Sequence, residues 1–420
     1  MHRVLGLGVA GIAALAAGWV FLGGTIAADP SGPAPQGANV VDASKYPSLQ
    51  AALDAVPEAG GLVKLPPGEF RIESPLVLAR ANTRVEGCGA ATRIVNCCAA
   101  GQPTFVVRPA NLGEDPKARI WRVQLADFRL VGDPQAIDGK SGKPASGDGL
   151  LAENADELYV HGLSIDHHGG SGIHLVNCYE DPRIADSILT YNAKAGLWID
   201  GGHDIVVSAN HFEENGDGVR CLDSFNLTMT GNNLDDHLGN GVVIENTYGS
   251  VVSGNMIEEC QGAAVVLGRD CYGITISANV IADNFGGGVD LRDAWGCTVS
   301  ANTFTITAVY SIRIGPESGR IVITGNNFSD SYIGGTRKRQ DKLNEATGIV
   351  LEGTSDIAIS GNVFAGLAGP AIRADAKCSR IAATGNLMTD LNRRSTGKER
   401  LGAMDLGGAR PLVADHNLAE

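Results

Sequence analysis

At 420 residues the chain would ordinarily hold two or three domains of roughly 150 residues each, but its composition argues for one repetitive body. Glycine fills 56 positions, aromatics only 5% and hydrophobic residues 44%, too apolar for disorder and too glycine-rich for a helical bundle or coiled coil. Lys and Arg number 33 against 47 acids, a net charge of −14; that field repels phosphate backbones and argues against a nucleic-acid partner.

Residues 1–27 read as an export signal. His2 and Arg3 make a short basic start, and Val4 to Ala28 carry no charge. Thr25 and Ala27 put small residues ahead of a cleavage site after Ala27. The same run is long enough to cross a bilayer as a retained anchor. Either way the body is expected outside the cytoplasm, secreted to the extracellular space or periplasm, with membrane contact only through residues 4–28 if they are kept. Residues 28–37 form a Pro/Gly-rich linker. The folded domain is expected over 38–418, with 38–100 as its opening module and 120–418 as its coils.

In the opening module, Pro47-Ser48-Leu49-Gln50-Ala51-Ala52-Leu53 begins a short amphipathic helix with Ser48 as N-cap. A strand, a Pro-Pro-Gly turn and a second strand follow in GGLVKLPPGEFRI, 60–72. The nine cysteines are irregularly spaced and include no CxxC pair, so a zinc site is not expected. Cys88 could close a short loop with Cys97 or Cys98. The others read as small buried apolar residues.

From here an internal repeat dominates. Asparagine recurs at 210, 232, 255, 279, 302, 326, 362 and 386. Five of these follow Gly and three follow Ala, and two residues further on stands a large apolar side chain, as in Phe212, Ile281 and Phe364. Apolar residues three and five positions before the Asn continue the alternation, as in Val207/Ile205, Met229/Leu227, Ile276/Ile274, Ile323/Ile321 and Ile359/Ile357, and a period of two means strand. The frame extends backwards without Asn, with Ser187, Leu163 and Phe128 in its place. A second strand starts at glycine roughly ten residues after each Asn, as in GIHL 172–175 and GVVI 241–244. Such a unit cannot bury its apolar face alone, so units must stack. Stacking turns the Asn positions into a side-chain ladder in one tight turn, where Asn tolerates left-handed geometry. Asn417 follows Asn386 by 31 residues, and the ladder contact of Asn386 is expected to be incomplete.

These features resemble the right-handed parallel β-helix of the pectate-lyase-like superfamily. The resemblance covers about residues 38–418. It implies an all-β, single-stranded coil of about 11–12 turns with an N-terminal helix plugging its open end. The Asn-Thr-Asp, Gly-His-Gly and Arg-Ile-Lys series of polygalacturonases and the Asp-Pro-His motif of mannuronan epimerases are absent. A hydrolase or alginate-epimerase assignment is thereby weakened.

Alternation in the Gly-initiated strands assigns an outward column through Leu151, His174, Trp198, Arg220, Val243, Val266, Asp290, Arg313, Val350 and Arg373. His174, Trp198 and Arg220 fall on successive coils, with Asp200 outward beside them and His168 in the preceding loop. Polysaccharide cleavage or epimerisation needs a base, a proton donor and a cation against the substrate carboxylate. His174 or His168 would be the base, Arg220 the neutraliser, and Asp200 an orienting carboxylate. Trp198 would offer a stacking platform for a sugar ring. Calcium is the metal this chemistry could call on, with Asp200 and Glu245 as ligands. Arg292, Arg313 and Arg373, with Arg337, Lys338, Arg339 and Lys342 of the long loop 329–347, form a basic group. It could bind an acidic glycan or form a lattice of Arg–Asp pairs with Asp290, Asp293 and Asp375. The reading is a secreted, monomeric, lyase-like enzyme for an acidic polysaccharide; the alternative is a non-catalytic glycan-binding or cell-surface structural β-helix.

Overall fold

The structure is a computed structural model that describes residues 39–133, 145–329, 346–393 and 402–419. One representative coil is three strands, Thr275–Ser277, Val280–Ala282 and Gly287–Leu291, with a turn after each. Repeated along the chain, these make three parallel sheets of seventeen, fourteen and thirteen strands among the described residues. The chain is a parallel β-helix. Its third sheet runs from Leu76–Leu78 to Met404–Asp405, so it has thirteen rungs, more than the repeat spacing indicated. The surplus lies at the start, where the early coils carry no Asn marker.

The capping helix spans Leu49–Asp54, and the Ser48 side chain accepts from the Ala51 N–H. It buries Leu49, Ala52 and Leu53. Gln50 also works on the edge of the first rung: its Nε2 donates to the Val77 carbonyl at 3.0 Å and its Oε1 accepts from the Val77 N–H at 2.8 Å. An otherwise unpaired strand edge is thereby satisfied.

The Asn column is a continuous ladder. Each Nδ2 donates to the Oδ1 of the next Asn, from Asn210 to Asn232 at 3.0 Å through Asn279 to Asn302 at 3.0 Å. The same Oδ1 accepts the backbone N–H of the Asn before it, as Asn302 does from Asn279. The second Nδ2 hydrogen goes to a carbonyl, Val252 for Asn279. The column begins with Ser187, whose N–H donates to Asn210 Oδ1. Two expectations change. Asn386 is fully paired, donating to Asn417 Oδ1 at 2.9 Å; the 31-residue excursion returns the chain to register. The left-handed position belongs to the residue before the Asn, with φ from 55° at Ala278 to 69° at Gly254, which explains the recurring Gly-Asn and Ala-Asn pairs.

Inside the coil, Phe304, Phe328 and Phe364 stack at 4.8 and 4.5 Å between ring centroids. All nine cysteines are free, so Cys88 closes no loop with Cys97 or Cys98. Six of them, from Cys178 to Cys378, are buried. None of the described helices is long and apolar enough to cross a membrane; residues 4–28, the linker and most of the 329–347 loop, with Arg337, Lys338, Arg339 and Lys342, lie outside the described residues.

Candidate functional site on the third sheet

The outward column forms in the expected register. Leu151 pairs with His174, His174 with Trp198, Trp198 with Arg220, and Arg220 with Val243. At its centre His174 Nδ1 lies 3.1 Å from Asp148 Oδ2, and its ring stacks on Trp198 at 5.1 Å between centroids. Asp148 Oδ1 accepts the Ser171 N–H at 2.6 Å. Burial pushes the Asp148 carboxyl up, but the bonds from His174 and Ser171 outweigh it and hold the group below the usual carboxylate value. An ionised carboxylate only accepts, so Nδ1 of His174 carries the proton and the neutral ring keeps its lone pair on Nε2. Asp148 escaped the sequence reading because it precedes the strand, on the turn between Gly147 and Gly149. Only stacking brings it beside a residue one coil later.

Trp198 is half-buried between the rungs of His174 and Arg220. The Arg220 guanidinium and the Lys194 ammonium each stand 5.7 Å from its ring centroid. Its faces are thus engaged by the chain itself, and it is not the open platform expected. Arg220 is likewise committed: it donates to Asp217 at 2.9 Å and to Glu245 at 3.1 Å, so it is not a free neutraliser. Lys194 is exposed and makes no ion pair among the described residues. Three buried atoms in this cluster have no hydrogen-bond partner: His174 Nε2, Trp198 Nε1 and Arg220 Nε. Unmade bonds of this kind are costly in a structural wall.

His168 is not on this face. It is fully buried, with Nε2 2.9 Å from Thr104 Oγ1 and Nδ1 3.3 Å from Asn192 Oδ1. Burial pushes its pKa down to about 4. It belongs to a second inner ladder that the sequence reading missed, through Asn192, Asn215, His237, Cys260 and Asn284. Asn192 Nδ2 donates to Asn215 Oδ1 at 2.9 Å, the Asn215 N–H to His237 Nδ1 at 3.2 Å, and the Cys260 N–H to Asn284 Oδ1 at 3.1 Å. The ladder accounts for the strand-opening glycines: a Cβ on Gly172 would meet Asn192 Nδ2 at 2.9 Å, and one on Gly218 would meet His237 Nε2 at 2.6 Å. The signal was present as a 22–24-residue spacing of mixed polar residues, but no single residue type marked it.

Asp200 faces outward between Val176 and Leu222. It is not positioned with Glu245 for calcium. Two rungs at about 4.8 Å each separate them, Leu222 intervenes, and Glu245 holds Arg220. Among the described residues the groups close enough to share an ion are Glu180, His203 and Asp204, and Asp235, Asp236 and Glu259. Of the Arg group, Arg292 and Arg313 form the Arg–Asp lattice, on Asp290. Arg313 makes two bonds to buried Asp290, at 2.9 and 2.7 Å, and stands over the Tyr310 ring at 5.1 Å. Arg292 donates to the same carboxylate at 2.8 Å while remaining exposed. Burial and then Asp290 push the Tyr310 hydroxyl up to about 12. Arg313 is therefore a wall residue, not a substrate contact, and Arg292 keeps only part of its guanidinium outward.

The profile for the right handed beta helix region matches residues 148–304 and 267–398. The chain belongs to the right-handed β-helix family. Among solved structures, the A-module of the mannuronan C-5 epimerase AlgE4 of Azotobacter vinelandii aligns at 15% identity, covering 90% of this chain and 99% of that one, with a TM-score of 0.58. A mutant DFA-IIIase of Arthrobacter chlorophenolicus A6, in complex with DFA-III, aligns at 12% identity over 88% and 99%, also with a TM-score of 0.58. ORF18 of Geobacillus virus E2 aligns at 15% over 74% of this chain with a TM-score of 0.46, and the β-helix protein spans 61% of its length. At these identities the likeness is one of fold. No curated protein matches the chain.

Proposed function

We propose that this β-helix protein is carbohydrate-active and moves a proton on an acidic polysaccharide laid across the outer face of its third sheet, as a lyase does. The observation that carries the reading is the Asp148–His174 pair. A fixed Nδ1–H leaves a basic Nε2 on a residue of the outward column, the form a general base needs. Lys194, beside Trp198, is the cation available to the uronate carboxylate, in place of the committed Arg220. In an elimination His174 takes the proton next to that carboxylate, the C–H electron pair becomes the new double bond, and the glycosidic oxygen departs. A structural neighbour is by name a mannuronan C-5 epimerase, which supports carbohydrate chemistry as the broader class. Residues 1–27 support export, and the chain would act as a monomer; sequencing the N-terminus of the mature protein and light scattering test those two points.

Incubation with a panel of polyuronates, read by ultraviolet absorbance of unsaturated ends and by epimer content, is the direct test. The wild type is expected to turn over at least one polymer, and His174→Ala to lower the rate by about 10²–10⁴-fold. No product from any polyuronate sinks the proton-transfer reading. Retention of a polyuronate without turnover would favour a glycan-binding β-helix, a reading that the enclosed position of His174 Nε2 supports.

A further inference from the structure

Five residues beyond the His174 column on most rungs, where the third sheet turns toward the first, the chain carries a second column. It runs through Tyr179, His203, Phe225, Tyr248, Tyr272 and Trp295. Backbone pairing puts these residues in register: Cys178 pairs with Gly202, placing Tyr179 beside His203, and the bridges His203–Phe225, Phe225–Tyr248 and Tyr248–Tyr272 follow, then Tyr272–Trp295. The Phe225 and Tyr248 rings stack at 5.6 Å between centroids, and His203 meets Phe225 edge-on at 6.0 Å.

In this protein aromatic rings are scarce, and six of the ten phenylalanines fill the core. Yet Tyr179 is 38%, Phe225 42% and Tyr272 51% exposed. Three exposed rings in a column of six aligned coils are not explained by packing. The backbone accommodates it: a Cβ on Gly296 would meet the Tyr272 ring at 3.3 Å, and one on Gly319 the Trp295 ring at 2.8 Å. Polar groups run alongside. The Tyr248 hydroxyl lies 3.2 Å from Asn246 Oδ1 and 3.1 Å from Asp270 Oδ2, with one hydrogen to give to either, Asn246 Nδ2 donates to Asp223 at 2.7 Å, and Arg269 bonds the same carboxylate at 3.1 Å.

We propose that this stripe is a binding platform for an extended, uncharged polysaccharide. Rings repeating at about 4.8 Å per rung suit a chain of pyranose units whose C–H groups lie along the exposed ring edges, since the Phe225 and Tyr248 faces are turned to each other and Arg119 and Arg320 stand over the Tyr179 and Trp295 rings, while the hydroxyls meet the amides and carboxylates. The fringe holds Glu180, Asp204, Asp223 and Asp270 against Arg269 and Arg320, with Arg119 over Tyr179 already paired to Asp156, an acidic balance that disfavours polyuronates, sulfated glycans and nucleic acids. The stripe is thus distinct in residues and in ligand charge from the His174 cluster, and its ligand need not be the polymer acted on there.

The test is retention of the whole protein on insoluble cellulose, xylan, chitin and starch, and affinity electrophoresis in soluble neutral glucans and polyuronates. Wild type is expected to bind at least one neutral polymer more tightly than any polyuronate. Phe225→Ser with Tyr272→Ser should weaken that binding by about tenfold or more, about 1.4 kcal/mol. His174→Ala should bind as wild type does, which separates this platform from the proposed catalytic cluster. Thermal melts confirm that the exposed substitutions leave the fold intact. Binding to no neutral polymer, equal binding by the double variant, or a dimer that the same substitutions dissolve would each overturn the proposal.

Discussion

His168 and His174 lie six residues apart on one rung, one in the inner wall and one on the outer face, and their surroundings are opposite. His168 has both ring nitrogens engaged and is wholly buried. His174 has one nitrogen tied to Asp148 and the other with no partner. The Asn210–Asn417 ladder completes its hydrogen bonds from rung to rung and the second ladder leaves a single atom, His237 Nε2, unmatched, whereas the outer cluster leaves three buried polar atoms unmatched side by side. A wall that must survive stacking removes unpaired groups, because each costs about 1–3 kcal/mol. A site meant for a ligand keeps them. Position on the rung therefore separates structure from function where residue type cannot.

The widest expected divergence is a crossed pair of variants. His174→Ala should abolish most turnover, by about 10²–10⁴-fold, while moving the melting temperature little, since the side chain is partly exposed. His168→Ala should instead lower stability by about 2–4 kcal/mol, through an internal void and the lost ring bonds to Thr104 and Asn192. Chemical melts and rate measurements on both proteins check this. Equal stability losses would erase the distinction between wall and face.

Acid should act on the wall next. His168 and His237 both titrate at about 4 in the folded protein because burial disfavours the imidazolium. In the unfolded chain they protonate near 6.5. A depressed folded pKa contributes stability that is complete above the unfolded value and is lost as pH falls through the folded one. The loss should thus develop between about pH 6.5 and pH 4, at about 3 kcal/mol for each histidine. His237→Asn, which makes that rung resemble its Asn215 neighbour, should flatten half of the dependence in urea melts run across that window. An unchanged pH profile would mean that His237 is hydrated in solution.

The smallest contrast lies within the first ladder. Asn279→Ala deprives Asn255 of an acceptor and the Val252 carbonyl of a donor, a loss of about 1–3 kcal/mol. Asn417→Ala removes the last, half-buried step, where water can replace the amide, and should cost about 1 kcal/mol or less. Asn386, bonded on both sides, should resemble Asn279. Melting temperatures that do not rank Asn279 above Asn417 would show that the column does not act as a stacked ladder.

The sequence by itself determined the repeat, the parallel coil, the Ser48-capped helix and the outward column that holds His174, Trp198 and Arg220. All of these follow from period-two alternation, a fixed unit length and local capping chemistry, which one chain displays without reference to any other part of itself. Tertiary stacking decided everything that depends on a neighbour one coil away. It set Asp148 against His174, committed Arg220 to two carboxylates and Arg313 to Asp290, and drew His168 into a ladder of unlike residues. It also aligned the aromatic stripe from Tyr179 to Trp295. The reason is geometric: rungs some 22–24 residues apart in sequence sit about 4.8 Å apart in space. The partner that fixes a side chain's charge, tautomer and exposure is therefore the one the linear sequence places furthest from view.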